Sequence, residues 1–199
     1  FYKEFWPVVK EDVLQVLHEF RAGNSGFNRL NKFYMFLLPK KEGAEEIQEY
    51  RPIALSNAIY LIVAKLLANR LRTLARIMDP VQTAFIPCKN ILEGYVMASE
   101  ILSFWKSRRK AFMWKIDFSK AYDSVQWSFL WASLMKRGFP PVWIDWMKRC
   151  VTTTSFSVLI NGNPAGGWIQ PRRGVRQGCP LALMLFVIAA DALARATKK

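Results

Sequence analysis

The dipeptide Asn161-Gly162 constrains this chain more tightly than any other feature, because both residues tolerate positive φ and so admit the tight turn that matches strand twist. Ahead of it Phe156, Val158 and Ile160 alternate with Ser155, Ser157 and Leu159, the two-residue period of a strand. A hairpin is expected, with 167–170 as its return strand. A second alternation sets Phe112, Trp114, Ile116 and Phe118 against Met113, Lys115 and Asp117, and predicts a strand over 112–118 with Asp117 at its end. A third strand is expected over 33–38, closed by Pro39.

Helical spacing fills most of the remainder. Ile59, Ile62, Val63, Leu66, Leu67, Leu71 and Leu74 recur at three- and four-residue intervals and predict a long helix over 56–77. Further helices are expected over 1–20, 91–105, 143–150 and 180–196, the last one buried. Asp123, with Gln126 three residues on, has the spacing of a helix N-cap with a capping box, for a helix running to Lys136. The fold class that results is α+β with an antiparallel sheet. A soft boundary at 107–110 separates a helix-rich basic part, 1–110, from a part that mixes strands and helices, 111–199.

Charge narrows the choice of partner. Lys and Arg number 29 against 15 acidic residues, a net +14 that favours a polyanion through counterion release. Nucleic acid fits this best, with an anionic lipid surface as the weaker reading. Cys88, Cys150 and Cys179 lie far apart and the single histidine, His18, sits in an amphipathic stretch, so zinc, disulfide and histidine-triad chemistry have little to build on. The longest apolar run, 181–190, is well short of the ~20 residues that cross a bilayer. No membrane partner is expected, and a chain opening on Phe1 reads as a piece of something longer.

Two segments carry the chemistry. Hard divalent cations such as magnesium take carboxylate oxygens, and Asp117 is a candidate to supply one, although a lone Asp at a strand end is more often a turn or cap residue than a ligand. Arg172, Arg173 and Arg176 share seven residues with Gly174 and Gly178, a set suited to phosphate or template backbone and equally compatible with a solvated basic loop. Gln177 and Gly178 directly precede the last helix, where a side chain can reach a nucleotide pocket.

Leu38-Pro39-Lys40-Lys41, Tyr50-Arg51-Pro52-Ile53-Ala54-Leu55, Leu67-Ala68-Asn69-Arg70-Leu71, Gln82-Thr83-Ala84-Phe85-Ile86-Pro87, the run 117–125, Trp127-Ser128-Phe129-Leu130, Asn161-Gly162 and Arg173-Gly174-Val175-Arg176-Gln177-Gly178 occur in this order. In that order they resemble the reverse transcriptase domain of non-LTR (LINE-type) retrotransposons, in a plant-like form. The resemblance implies a right-hand polymerase, with 1–110 as fingers and 111–199 as a partial palm. It implies an RNA-directed DNA polymerase whose partners are an RNA template, a DNA primer and deoxynucleoside triphosphates (dNTP), with Mg2+ as cofactor. Asp117 matches the first metal-binding aspartate, and Phe118 the residue whose carbonyl joins the same metal. Tyr122 matches the residue that packs under the incoming sugar, Lys40 and Arg51 those that grip the triphosphate, and Gln177 and Gly178 the loop that holds nucleotide and template base. A nuclear location follows from the resemblance alone, with the cytoplasm as the alternative, and no oligomeric state follows.

The sequence departs from the family pattern in two places. The aromatic-x-Asp-Asp element expected after the 180–196 helix is missing, as is any Asp-Asp pair, so the fragment alone is expected to be inactive. Gly178-Cys179-Pro180-Leu181-Ala182-Leu183 replaces the usual Gly-Asp-Pro-Leu-Ser-Pro, and Cys88-Lys89 the usual Gly-Arg. A non-catalytic nucleic-acid-binding relic of such a domain is therefore the alternative reading.

Overall fold

The computed structural model describes residues 1–73, 78–86, 89–108 and 115–197. In chain order the helices are α1 (Trp6–Ala22), α2 (Phe27–Leu30), α3 (Ala58–Arg72), α4 (Ile91–Arg108), α5 (Ala121–Ser124), α6 (Trp127–Lys136), α7 (Pro141–Thr152) and α8 (Pro180–Ala196). The strands are β1 (Lys32–Pro39), β2 (Tyr50–Ser56), β3 (Ser155–Ile160) and β4 (Asn163–Ile169), joined in one sheet of order β2-β1-β3-β4.

That sheet is mixed, which corrects the expectation of an antiparallel one. β1 pairs antiparallel with β2 and β3 with β4, but β1 and β3 run parallel, Phe33 lying opposite Phe156 and Met35 opposite Val158. β3 and β4 are joined by a two-residue turn and β1 and β2 by the longer connection 40–49; β2 brings the chain back to the end where β1 began, and the helices between β2 and β3 leave from that end and return to it. Strands related in this way align in the same direction.

The Asn161-Gly162 turn forms as the sequence demands, with φ of 50° and 81° at its two residues. β4 starts at once with Asn163 and runs to Ile169, so the return strand begins earlier than 167–170, and its ladder shifts between Phe156 and Val158. A Cβ at Gly162 meets nothing within 4 Å. Gly162→Ala is therefore expected to cost only the backbone strain of a left-handed alanine, about 1 kcal/mol in a denaturant melt. A loss several times larger would mean that the turn is packed against something.

Helix α8 organises the core. Its apolar residues surround the axis instead of forming one stripe, so it is buried on most sides, with Leu181, Leu185, Val187 and Ile188 almost wholly covered. Against it pack α3, through Val63, Leu67 and Leu71, and α6, through Leu130 and Leu134. Asn57 begins α3 by accepting a hydrogen bond from the Ile59 amide at 2.9 Å. The helix expected over 56–77 is described from Ala58 to Arg72, and 74–77 lie outside the described residues. Among the described residues no helix is long and apolar enough to cross a membrane.

Of the strand expected over 112–118, residues 112–114 lie outside the described set, and 115–118 carry no strand. Extended backbone becomes a strand by pairing its amides with a neighbour. No described strand lies beside 115–118, and Ile116 and Phe118 are more than half exposed.

Candidate functional site

The basic loop is fastened to the segment that follows Asp117. The Gly174 amide donates to the Val125 carbonyl at 2.8 Å, the Val175 amide to the Tyr122 carbonyl at 2.9 Å, and the Trp127 indole to the Gly174 carbonyl at 2.7 Å. Gly174 has a φ of 85°, and a Cβ there would lie 3.0 Å from the Cα and carbonyl oxygen of Asp123. Only glycine permits so close an approach.

This docking rewrites the helix expected from Asp123. With the Val125 carbonyl taken by Gly174, the chain makes a short α5, turns at Val125 and Gln126, and starts α6 at Trp127. Asp123 thus lies inside α5, and Gln126 caps α6 without a side-chain bond, which replaces the expected capping box. Lys120 opens the segment in the left-handed region at φ 52°, a strained conformation of the kind that clusters at functional sites.

Between this loop, the sheet and the start of α8 lies a cavity of about 320 Å³. Met35, Pro52 and Ala54 of the sheet form one wall; Asp123, Arg173 and Gln177 bring polar groups to the other. A mostly apolar cleft with a few converging polar groups is the usual form of a small-ligand site.

The remaining candidates are placed around it. Asp117 and Phe118 are exposed on the chain leading into α5, and Arg172, Arg173 and Gly178 are exposed on the loop. Tyr122 is half-buried, its ring stacked on Phe186 of α8 with centroids 4.6 Å apart and planes 14° apart. Burial raises its phenol pKa, so the hydroxyl stays protonated at neutral pH. Lys40 leaves the end of β1 and donates to the Gln48 carbonyl at 2.7 Å. Arg51 is exposed opposite Leu38, on the sheet face that also carries Ile53 and Leu55 and not the face of Pro52 and Ala54. The structure therefore brings Arg173, Arg176 and Gln177 together in the cavity while Lys40, Arg51, Asp117 and Phe118 stay outside its lining.

Arg176 is the exception within the loop, for its guanidinium points inward. It lies between the rings of Phe33 and Tyr60, 4.2 Å from each centroid, and bonds Ser56, Thr154 and Asn31. Trp127, Phe186, Asn31 and Tyr60 are structural members of the site that sequence reading missed. Their contacts join residues up to 145 positions apart, and no local pattern signals them.

Carboxylate and carbonyl oxygens at Asp117 and Phe118 suit a hard divalent cation in kind. They are too few, since no group of three or more His, Cys, Asp or Glu among the described residues is placed to hold a metal ion. The described residues therefore do not make a metal centre on their own.

Comparison with known proteins fits this arrangement. The family model for reverse transcriptase (RNA-dependent DNA polymerase) matches residues 38–199. The Transposon TX1 uncharacterized 149 kDa protein of Xenopus laevis is 31% identical over 197 residues, covering 96% of this chain and 15% of that protein. The Retrovirus-related Pol polyprotein from type-2 retrotransposable element R2DM of Drosophila melanogaster is 29% identical over 163 residues, 79% of this chain and 15% of that protein. The corresponding polyprotein from the type-1 element R2 of Nasonia vitripennis is 29% identical over 163 residues, 80% of this chain and 15% of that protein. The chain spans about 15% of the length of these curated relatives. It belongs to the reverse transcriptase family, among the members carried by non-LTR retrotransposons.

Proposed function

We propose that this chain is the fingers and part of the palm of an RNA-directed DNA polymerase, which extends a DNA primer on an RNA template. The observation that carries the reading is the docking of Gly174 and Val175 on the Tyr122 and Val125 carbonyls, which sets a cationic, glycine-rich loop against the segment just after Asp117. The net charge of +14 supports a phosphate-rich partner. Arg173 and Gln177 are the groups at the cavity mouth suited to a nucleotide or template base, and half-buried Tyr122 offers an aromatic edge for the sugar. Lys40 and Arg51 on the β1–β2 hairpin are proposed to reach the triphosphate, and Arg172 the nucleic-acid backbone.

Members of this family generally work with divalent metal ions, and magnesium is the ion proposed here. Asp117 would give one of its ligands, the others coming from outside the described residues.

The test is primer extension by the full-length polymerase carrying Asp117→Asn. Because Asp117 is exposed, the exchange should leave folding within ~0.5 kcal/mol of the parent. Extension is expected to fall by at least about two orders of magnitude. Synthesis at the parental rate would remove Asp117 from the chemistry. Template binding that persists while both proteins fail to extend would favour the non-catalytic relic.

A further inference from the structure

We propose that Arg176 is a positioning residue: its guanidinium fastens Gln177 and Gly178 to the ends of three strands and does not contact nucleic acid. The inference rests on the polymerase reading above and assigns this arginine a different task from its neighbours in the loop.

The three partners occupy one edge of the sheet. Asn31 directly precedes β1, Ser56 ends β2, and Thr154 directly precedes β3; because β2 runs against β1 and β3 runs with it, all three lie at the same end. Arg176 reaches them together, at 2.6 Å to Asn31 Oδ1, 3.1 Å to Ser56 Oγ, and in a close bond to Thr154 Oγ1. Phe33 of β1 and Tyr60 of α3 close over the two faces of the guanidinium plane. A planar fork spreads its donors over two terminal nitrogens that reach separate acceptors and stacks between two rings, whereas the three donors of a lysine radiate from a single nitrogen.

No carboxylate among the described residues pairs with this cation. The compensating charge comes from α7. Asn31, fully buried, uses its amide to collect the Cys150 carbonyl at 3.0 Å and the Arg149 carbonyl at 3.4 Å, near the negative end of that helix, and turns its own oxygen to Arg176. The Arg176 Nε is buried without a partner, and the half-buried side chain lines the same cavity as Gln177 with both terminal nitrogens bonded to protein acceptors. Its main chain continues directly into Gln177, which lines the cavity, and its carbonyl accepts the Cys179 amide at 3.4 Å. Fixing one side chain thus fixes where the loop enters the cavity relative to the sheet.

Two variants of the full-length polymerase test this. Arg176→Lys keeps the charge and loses the fork; Thr154→Val keeps Arg176 and removes one of its anchors. Both are expected to raise the KM for deoxynucleoside triphosphate by about tenfold with a smaller change in kcat, as misplacement of a binding group does. Both should leave unchanged the slope of template-primer affinity against salt, and both should speed hydrogen exchange at the Cys179 amide. A combined variant should be little worse than either alone, because the two changes break one linkage. A salt slope that falls by about 0.9 in Arg176→Gln, a third variant that removes the charge, would make Arg176 a phosphate contact and overturn the assignment. A lowered melting temperature and kcat with KM unmoved would reduce it to a fold-stabilising residue and overturn it as well. If the parent itself does not extend primers, the polymerase reading fails; the salt slope and the Cys179 exchange then still decide the role of Arg176.

Discussion

Replacing Asp191 by alanine is expected to remove about 3–5 kcal/mol of stability, the cost of breaking a buried ion pair from one side. Asp191 lies on α8 with its side chain fully buried, and three donors converge on its carboxylate. Arg137, at the end of α6, approaches to 2.5 Å; Arg195, one turn along α8, to 2.9 Å; and the Asp79 amide donates at 2.7 Å. Three separate pieces of chain therefore meet on two oxygens. Burial pushes the Asp191 pKa up, but the Arg137 hydrogen bond, the Asp79 amide and the charges of Arg137 and Arg195 outweigh it, so the carboxyl titrates below its ordinary value. A folded pKa below the unfolded value, about 3.9, means that the contribution is fully present above that pH and disappears as the pH falls through the lower folded value. Denaturant melts of the parent and of Asp191→Asn should then show a gap at neutral pH that narrows steadily under strong acid. A gap that stays constant down to the lowest pH would show that the charge is not what stabilises the junction. Arg137→Met combined with Asp191→Leu should recover much of the loss, since a well-packed apolar pair can replace a buried ionic one.

How much of this was legible in sequence depended on whether the deciding partner was local. The Asn161-Gly162 turn needs only its own two residues at positive φ, and it formed as expected. The last helix was expected over 180–196 and α8 has those bounds, because a proline at its first position and a continuous apolar stretch both act within a few residues. The parallel pairing of β1 with β3 was illegible. It sets Phe33 opposite Phe156 across more than half the chain, and nothing in either segment encodes the direction of a partner that arrives by way of helices. The same holds for the α5–α6 break, where Asp123 and Gln126 have capping spacing but the Val125 carbonyl is captured by Gly174. Local propensity lost to a tertiary hydrogen bond.

The candidate site divides along the same line. Ordered motifs place the chain in its family, and of the residues they single out Arg173 and Gln177 share a cavity wall with Asp123. What the motifs could not convey is that adjacent arginines of one loop have opposite fates. Arg172 and Arg173 are exposed, while the Arg176 guanidinium sits between Phe33 and Tyr60 and is held by Asn31 from the far side of the sequence. A basic loop reads as surface charge until the acceptors that draw one member inward are known.

The docked loop gives the second large effect. Gly174→Ala is expected to cost about 2–4 kcal/mol, the sum of a left-handed alanine and the hydrogen bonds lost if the loop retreats. The added methyl would stand 3.0 Å from the Cα and carbonyl oxygen of Asp123, and backbone atoms cannot rotate aside as the tip of a long side chain can. The loop and the segment must therefore part by a few tenths of an ångström, which strains the bonds to Tyr122 and Val125, and amide exchange at 174 and 175 is expected to quicken by about a hundredfold if those bonds open locally. Gly178 supplies the control. Its φ of 83° is almost the same as the 85° of Gly174, yet a Cβ there meets nothing within 4 Å. Gly178→Ala should carry only the backbone strain and leave exchange at 174 and 175 near the parental rate. Equal acceleration in the two variants would mean that the conformation of the loop, and not its contact with the segment after Asp117, keeps it in place, and the geometric basis of the proposed nucleotide site would go with that contact.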